Sequence, residues 1–261
     1  MTIPSDQHHR EIVDQFSKQA IYFSRLPNHE DATELLLRMA DIRAADNVLD
    51  VACGAGAVAC AAARTARHVT GIDLTPAMIS RAEALQATTG HPNLTWHVGD
   101  VERLPYSSNS FDAVVTRYSL HHFLRPAAVL AEMARVCKPT GRVAVADLVL
   151  SETQRNEYDA MERLRDPSHI RVLTEQELGE LMVEAGLIDL RWSGYLFELD
   201  LRSLLQASFP REGDADRVRI TIEADVGVNR LGINANRDGE VVRIAYPIAI
   251  AMGRKSSGDC D

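Results

Sequence analysis

The chain has 261 residues, 46% of them hydrophobic, with 28 Lys plus Arg against 37 Asp plus Glu and a formal net charge of −9. That is ample apolar material for one α/β domain, and an acidic balance without a basic stripe argues against a nucleic-acid duplex as main partner. Four scattered cysteines (Cys53, Cys60, Cys137, Cys260) form no C-x-x-C pair, so a zinc cage, a disulfide scaffold and an iron–sulfur cluster are not expected, and a reduced, cytoplasmic protein is. The N-terminus lacks a signal-peptide pattern and apolar runs such as Ala57 to Ala63 are far too short for a membrane span, so no membrane insertion is expected.

In chain order, Ile12 to Phe23 is amphipathic through Ile12, Phe16, Ala20 and Phe23 and too short to stand alone, so it must dock. Strands and helices then alternate: Val48 to Val51, helix Ala57 to Ala66; His68 to Ile72, helix Pro76 to Thr88; Leu94 to Val98; Phe111 to Thr116, helix Pro126 to Val136; Arg142 to Val149. This alternation predicts a Rossmann-like, seven-stranded, mostly parallel sheet with helices on both faces. Pro76 and Pro126 mark helix starts, and Pro139 with Gly141 separates a helix from the next strand. After Val149 a polar, helix-prone insertion follows, then a helix from Thr174 to Ala185 stopped by Gly186. Leu187 to Leu199 and Val241 to Met252 read as the last strands, separated by helical stretches at Leu201 to Ser208 and Asp214 to Val226. The expected organisation is one domain, with a helical cap over residues 1–40, a ligand-binding core over 41–150, and insertions at 151–173 and 200–240.

The most specific segment is V-L-D-V-A-C-G-A-G-A-V-A, Val48 to Ala59: a strand, a turn with Gly54 and Gly56, and a helix start in immediate succession. A side chain at such a turn blocks a ligand from the backbone, and the turn can demand positive φ. Asp50, at the end of the apolar strand, suits a cationic group such as an α-ammonium. Ala59 completes a G-x-G-x-x-[GA] match, so a nicotinamide-dependent oxidoreductase is a competing reading. Asp73 ends the second strand and can take both hydroxyls of an adenosine ribose under either reading. Asp100 and Val101 end the third, offering a carboxylate for an exocyclic amine and an apolar contact for a ring.

Together with the loop L-P-Y-S-S-N-S-F-D-A-V-V that follows, these motifs resemble the class I S-adenosylmethionine (SAM) dependent methyltransferases, particularly the small-molecule group that includes the ubiquinone and menaquinone biosynthesis enzymes. The resemblance covers roughly residues 45–150. It implies SAM as cofactor, leaving as S-adenosylhomocysteine. Asp50, Gly54 and Gly56 would line its methionine end, Asp73 would hold its ribose hydroxyls, Leu74 and Val101 would flank its adenine and Asp100 accept the adenine amine, with Cys53 and Met78 also among the cofactor-binding residues. Arg117 would bind the SAM carboxylate or neutralise a nearby acid. His121 and His122, where the fourth strand leaves the sheet, and Tyr22, on the N-terminal helix, are catalytic candidates; adjacent histidines point apart, so at most one of the pair should face the pocket.

The implied reaction is an in-line methyl transfer to oxygen, nitrogen or carbon of a small-molecule acceptor, without metal, by a monomer or homodimer. A non-catalytic SAM-binding protein is the third reading. The segment up to Leu26 and the stretch Leu201 to Glu240 are expected to cover the acceptor. Arg163, Arg165, His169 and Arg171 could meet an anionic acceptor, but Glu157, Asp159, Glu162 and Asp166 balance them, which favours a solvated helix face.

Overall fold

The computed structural model describes residues 5–19 and 29–257. Two helices, α1 (Ser5–Gln19) and α2 (His29–Met39), precede β1 (Asn47–Val51), α3 (Ala57–Ala62), β2 (His68–Asp73), α4 (Pro76–Thr89), β3 (Leu94–Val98) and β4 (Phe111–Arg117). A 3-10 turn at Leu120–His122 leads to α5 (Pro126–Val136), β5 (Cys137–Leu148), α6 (Glu152–Arg165) and α7 (Glu175–Glu184). The chain continues through β6 (Leu187–Asp200), α8 (Leu201–Gln206), α9 (Asp214–Ala224), β7 (Asn236–Asp238) and β8 (Val241–Lys255).

One sheet runs β3-β2-β1-β4-β5-β8-β6, with β7 paired to β8. The first five strands are parallel, while β8 lies antiparallel to both β5 and β6. Burial on both faces explains why β1 is a nearly unbroken apolar run. Val48, Val69 and Ala144 face a core with Leu36, Val58 and Ile222, whereas Leu49, Ile72 and Val143 face a second core with Met133 and Met182. Strand order reverses between β1 and β4, which opens a crevice at their carboxyl ends, the usual ligand position in such sheets.

The local signals act as expected. Pro76 and Pro126 sit in the first turns of α4 and α5, and α7 begins in a capping box: Glu177 N donates to Thr174 Oγ1 (3.1 Å) and Thr174 N to Glu177 Oε2 (2.8 Å). The structure adds α2 and the short exposed hairpin strand β7, neither marked by periodicity, and begins α1 at Ser5 rather than Ile12. It also starts β5 at Cys137, before the glycine, with a register shift that accommodates Pro139 to Gly141.

The insertion departs from the solvated face that its charge balance suggested. Asp159, Glu162 and Asp166 are 4%, 3% and 1% exposed. Arg165 grips Glu162 with two nitrogens and donates to Ser208 Oγ, His169 Nε2 meets Asp159 Oδ1 at 2.7 Å, and Gln19 of α1 donates to Asp166 Oδ2 at 2.9 Å. Buried charges persist because each is paired and hydrogen-bonded.

Candidate active site

The loop after β1 turns so sharply that Ala52, Gly54 and Gly56 all have positive φ (54°, 52° and 84°). Cys53 N reaches Ile72 O at 3.0 Å, pinning the loop to β2. The two glycines then serve different ends. A Cβ on Gly54 would meet nothing within 4 Å, so its bare face opens into space; one on Gly56 would lie 2.7 Å from the Trp96 ring and 2.8 Å from Ala82 Cβ. Gly56 thus lets α3 pack beside α4 and β3. It is not among the residues that line the cavity, and this packing alone requires a residue without a side chain there.

A cavity of about 410 Å3 occupies the crevice. Of the residues singled out in the sequence, it brings together Asp50, Cys53, Gly54, Asp73, Leu74, Met78, Asp100, Val101, Arg117 and His122. Asp50 is 1% exposed, and its Oδ2 has no hydrogen-bond partner. Burial pushes its carboxyl up to about 7, against the pull of the Arg117 charge. Asp73, also buried, accepts Gly54 N on Oδ2 and Thr75 N on Oδ1, both at 2.8 Å; burial still leaves its carboxyl above the ordinary range. Asp100 Oδ1 accepts Glu102 N at 2.9 Å, so this acid shapes its own turn as well as facing the cavity. Arg117 Nη1 donates to Thr33 Oγ1 of α2 at 2.6 Å, and its guanidinium lies 5.0 Å from the Tyr118 ring centre.

Past β4, Asp147 organises the turn. Its buried carboxylate accepts Ser119 N and Leu120 N on one oxygen (3.1 and 2.7 Å), and His121 Nδ1 and Leu148 N on the other (2.6 and 2.7 Å). Burial works against the His121 cation, but the Asp147 charge and hydrogen bond outweigh it and raise the pKa of that imidazole. His121 therefore turns onto Asp147 and is not among the residues that line the cavity; of the pair, His122 lines it. Tyr22, the remaining catalytic candidate, lies outside the described residues.

The cover comes from α1. His8, His9, Ile12 and Phe16 line the cavity, Phe16 setting its edge against the His122 ring (4.9 Å, 79°), and His8 Nε2 reaching the His122 carbonyl at 2.7 Å. None of the lining residues belongs to 151–173 or 200–240, so among the described residues the expected cover from those insertions is not found at this cavity. Arg163, Arg165, His169 and Arg171 are likewise absent from its lining. Sequence reasoning passed over His8, Thr33 and Asp147. Asp147 carried the same signal as Asp50, an acid closing an apolar strand (V-A-V-A-D against V-L-D), and could have been found by it.

Residues 49–145 match the family model described as a methyltransferase domain. This segment is a methyltransferase domain. Over a longer stretch, the chain is 29% identical over 210 residues to an uncharacterised methyltransferase, YcgJ, of Bacillus subtilis, covering 80% of this chain and 74% of that protein. It is 33% identical over 138 residues to a demethylmenaquinone methyltransferase of Tropheryma whipplei, covering 48% of this chain and 56% of that one. The crystal structure of the Bacillus protein superposes with a TM-score of 0.81 at 24% identity, covering 88% of this chain and 100% of the other, and shows the same fold. The match thus runs from within β1 to within β5 and takes in the loops that follow β1 to β4, and the resemblance to class I methyltransferases read from the motifs holds. Among the described residues no helix is long and apolar enough to cross a membrane.

Proposed function

We propose that the protein transfers a methyl group from SAM to a small, largely apolar acceptor held between the crevice and α1. The observation that carries this reading is the buried, unpartnered Asp50 Oδ2 beside the open face of Gly54. A buried carboxylate oxygen without a donor is costly, and an ammonium group would restore both its partner and its charge.

The remaining residues fit the same ligand. Asp73 retains lone pairs for two ribose hydroxyls after accepting two backbone N–H groups, Leu74, Met78 and Val101 offer an apolar slot, and Asp100 an acceptor for an exocyclic amine. When bound, SAM supplies a methyl group on a positively charged sulfur. Arg117 sets the charge beside Asp50, with Thr33 fixing its position. Ile12, Phe16, Tyr118 and Phe123 would surround the acceptor and exclude water, so that the protein contributes chiefly by holding the reactants in line and dry.

The oxidoreductase reading is weakened by the loop itself. Gly54 N is spent on Asp73, whereas a pyrophosphate needs free N–H donors and few carboxylates nearby. Side-by-side calorimetry with SAM, S-adenosylhomocysteine and NAD(H) tests the assignment: the first two should bind and NAD(H) should not. A radiolabelled-methyl screen against a small-molecule extract then separates an enzyme, which labels an acceptor, from a SAM-binding protein, which labels none.

A further inference from the structure

His122 is 7% exposed and lines the cavity, and its ring is tied down at one nitrogen. Nδ1 lies 3.2 Å from the Ser168 carbonyl oxygen and 3.2 Å from Ser168 Oγ. A carbonyl oxygen can only accept. The hydroxyl has one hydrogen, and it is committed elsewhere: Ser168 Oγ donates to Asp166 Oδ1 at 2.6 Å, which leaves only lone pairs toward the ring. Asp166 keeps that direction fixed because it is a buried acceptor, also receiving Ser168 N (2.9 Å) and Gln19 Nε2 of α1 (2.9 Å). Both neighbours of Nδ1 therefore require a proton on it. The neutral imidazole then carries its lone pair on Nε2, which has no hydrogen-bond partner among the described residues.

We propose that Asp166 and Ser168 are positioning residues that lock His122 as the Nδ1–H tautomer and so present its Nε2 lone pair to the cavity, to take the proton of the methyl-accepting group. The proposal rests on the reading that this cavity holds a methyl acceptor. The proton leaves the acceptor's heteroatom, the electron pair of that bond stays on the heteroatom to form the new bond to carbon, and Nε2 becomes the N–H of an imidazolium.

The surroundings keep the ring neutral, which leaves the Nε2 lone pair open and lowers its basicity. Burial, then the neighbouring His121 with its ring centre 4.3 Å away, holds the His122 pKa well below the usual imidazole range, while Asp166 pulls the other way. Every element around it contributes a group: His8 from α1, His121 from its own turn, Asp147 from β5, and Asp166 and His169 from the segment after α6.

Nitrogen-15 NMR of the histidine-labelled full chain, free and with S-adenosylhomocysteine, tests this, with His122→Gln identifying the signal. The expected result at neutral pH is an Nδ1–H, bare-Nε2 imidazole in the unaltered protein. Asp166→Ala removes the acceptor, frees the Ser168 hydroxyl to donate to the ring and should bring in the Nε2–H form; Asp166→Asn, which keeps an acceptor oxygen, should hold the original one. Ser168→Ala, which keeps the carbonyl, should give a smaller shift of the same sign and serves if Asp166→Ala does not fold. S-adenosylhomocysteine affinity should stay within about twofold in these variants, because neither residue lines the cavity. An Nε2–H imidazole in the unaltered protein, or an unchanged tautomer in both Asp166→Ala and Ser168→Ala, overturns the proposal. Failure of the unaltered protein to bind S-adenosylhomocysteine would instead overturn the cofactor assignment, and the tautomer measurement on the free protein would still decide this one.

Discussion

Asp50 and Asp147 close two apolar strands of the same sheet, one place apart across β4, and are 1% and 3% exposed. Their surroundings are opposite. Asp147 accepts four hydrogen bonds; although burial opposes its charge, the His121 cation and the backbone N–H groups outweigh it, and the carboxyl is held below its ordinary range. Asp50 has an oxygen with no donor, and burial takes its carboxyl up to about 7. The same residue in the same kind of place builds the fold when saturated, and waits for a ligand when not.

The largest expected effect comes from breaking the saturated site. Asp147→Asn places an amide N–H2 among donors that need an acceptor, and should cost on the order of 3–5 kcal/mol in denaturant unfolding, with the turn that carries His122 lost first. A cost under about 1 kcal/mol would show that the two acids do not differ as argued.

Asp50→Asn should do the reverse and stabilise the free protein. A carboxyl raised from 3.8 to about 7 holds its proton in the folded state, so its contribution is fully present below 3.8 and is lost as pH rises through about 7. The variant removes that loss, so it should gain up to a few kcal/mol near pH 8 and little near pH 4, while S-adenosylhomocysteine binding disappears. A variant that is destabilised at high pH would mean that Asp50 is a structural acid like Asp147.

Asp73→Ala should weaken S-adenosylhomocysteine by about 1.5 to 3 kcal/mol in calorimetry, the range for hydrogen bonds to a charged group. Unchanged affinity in a folded variant would confine Asp73 to bracing Gly54 and Thr75. The smallest effect is a slope: between about pH 6 and pH 8, affinity for S-adenosylhomocysteine in the unaltered protein should rise with pH by no more than tenfold per unit, as one carboxyl ionises to meet the ammonium. A flat profile would separate the ammonium from Asp50.

Much of this comparison was visible in the sequence, and its limits are physical. The strands of the parallel sheet read clearly because burial on both faces makes them nearly continuous apolar runs, and an acid ending such a run, as Asp50 and Asp73 do, stands out. What failed was whatever depended on distant partners. The acids of the insertion look solvated because Arg residues lie nearby in sequence, but Asp166 is hydrogen-bonded by Gln19, 147 positions away, and Arg165 is held to Ser208. The fates of His121 and His122 turn on Asp147 and Ser168, which no local pattern links to them. Gly54 and Gly56 are alike in sequence and differ because Trp96 and Ala82 pack against one.

The position of β8 bears on the order in which the chain can assemble. It is the last strand in sequence, yet it lies inside the sheet, from Arg142↔Arg254 to Leu148↔Ile248 on one side and along nearly the whole of β6 on the other. As a chain is synthesised, β1 to β5 can form their parallel pairs early, but β6 has no place to dock until some forty further residues have emerged. Until then the outer edge of β5 is bare: Val143, Val145 and their open backbone groups face no partner strand, and Trp192 and Leu196 of β6 are unanchored. A nascent or truncated chain stopped before Val241 is thus the form most exposed to aggregation, even though every residue of the crevice has already been made.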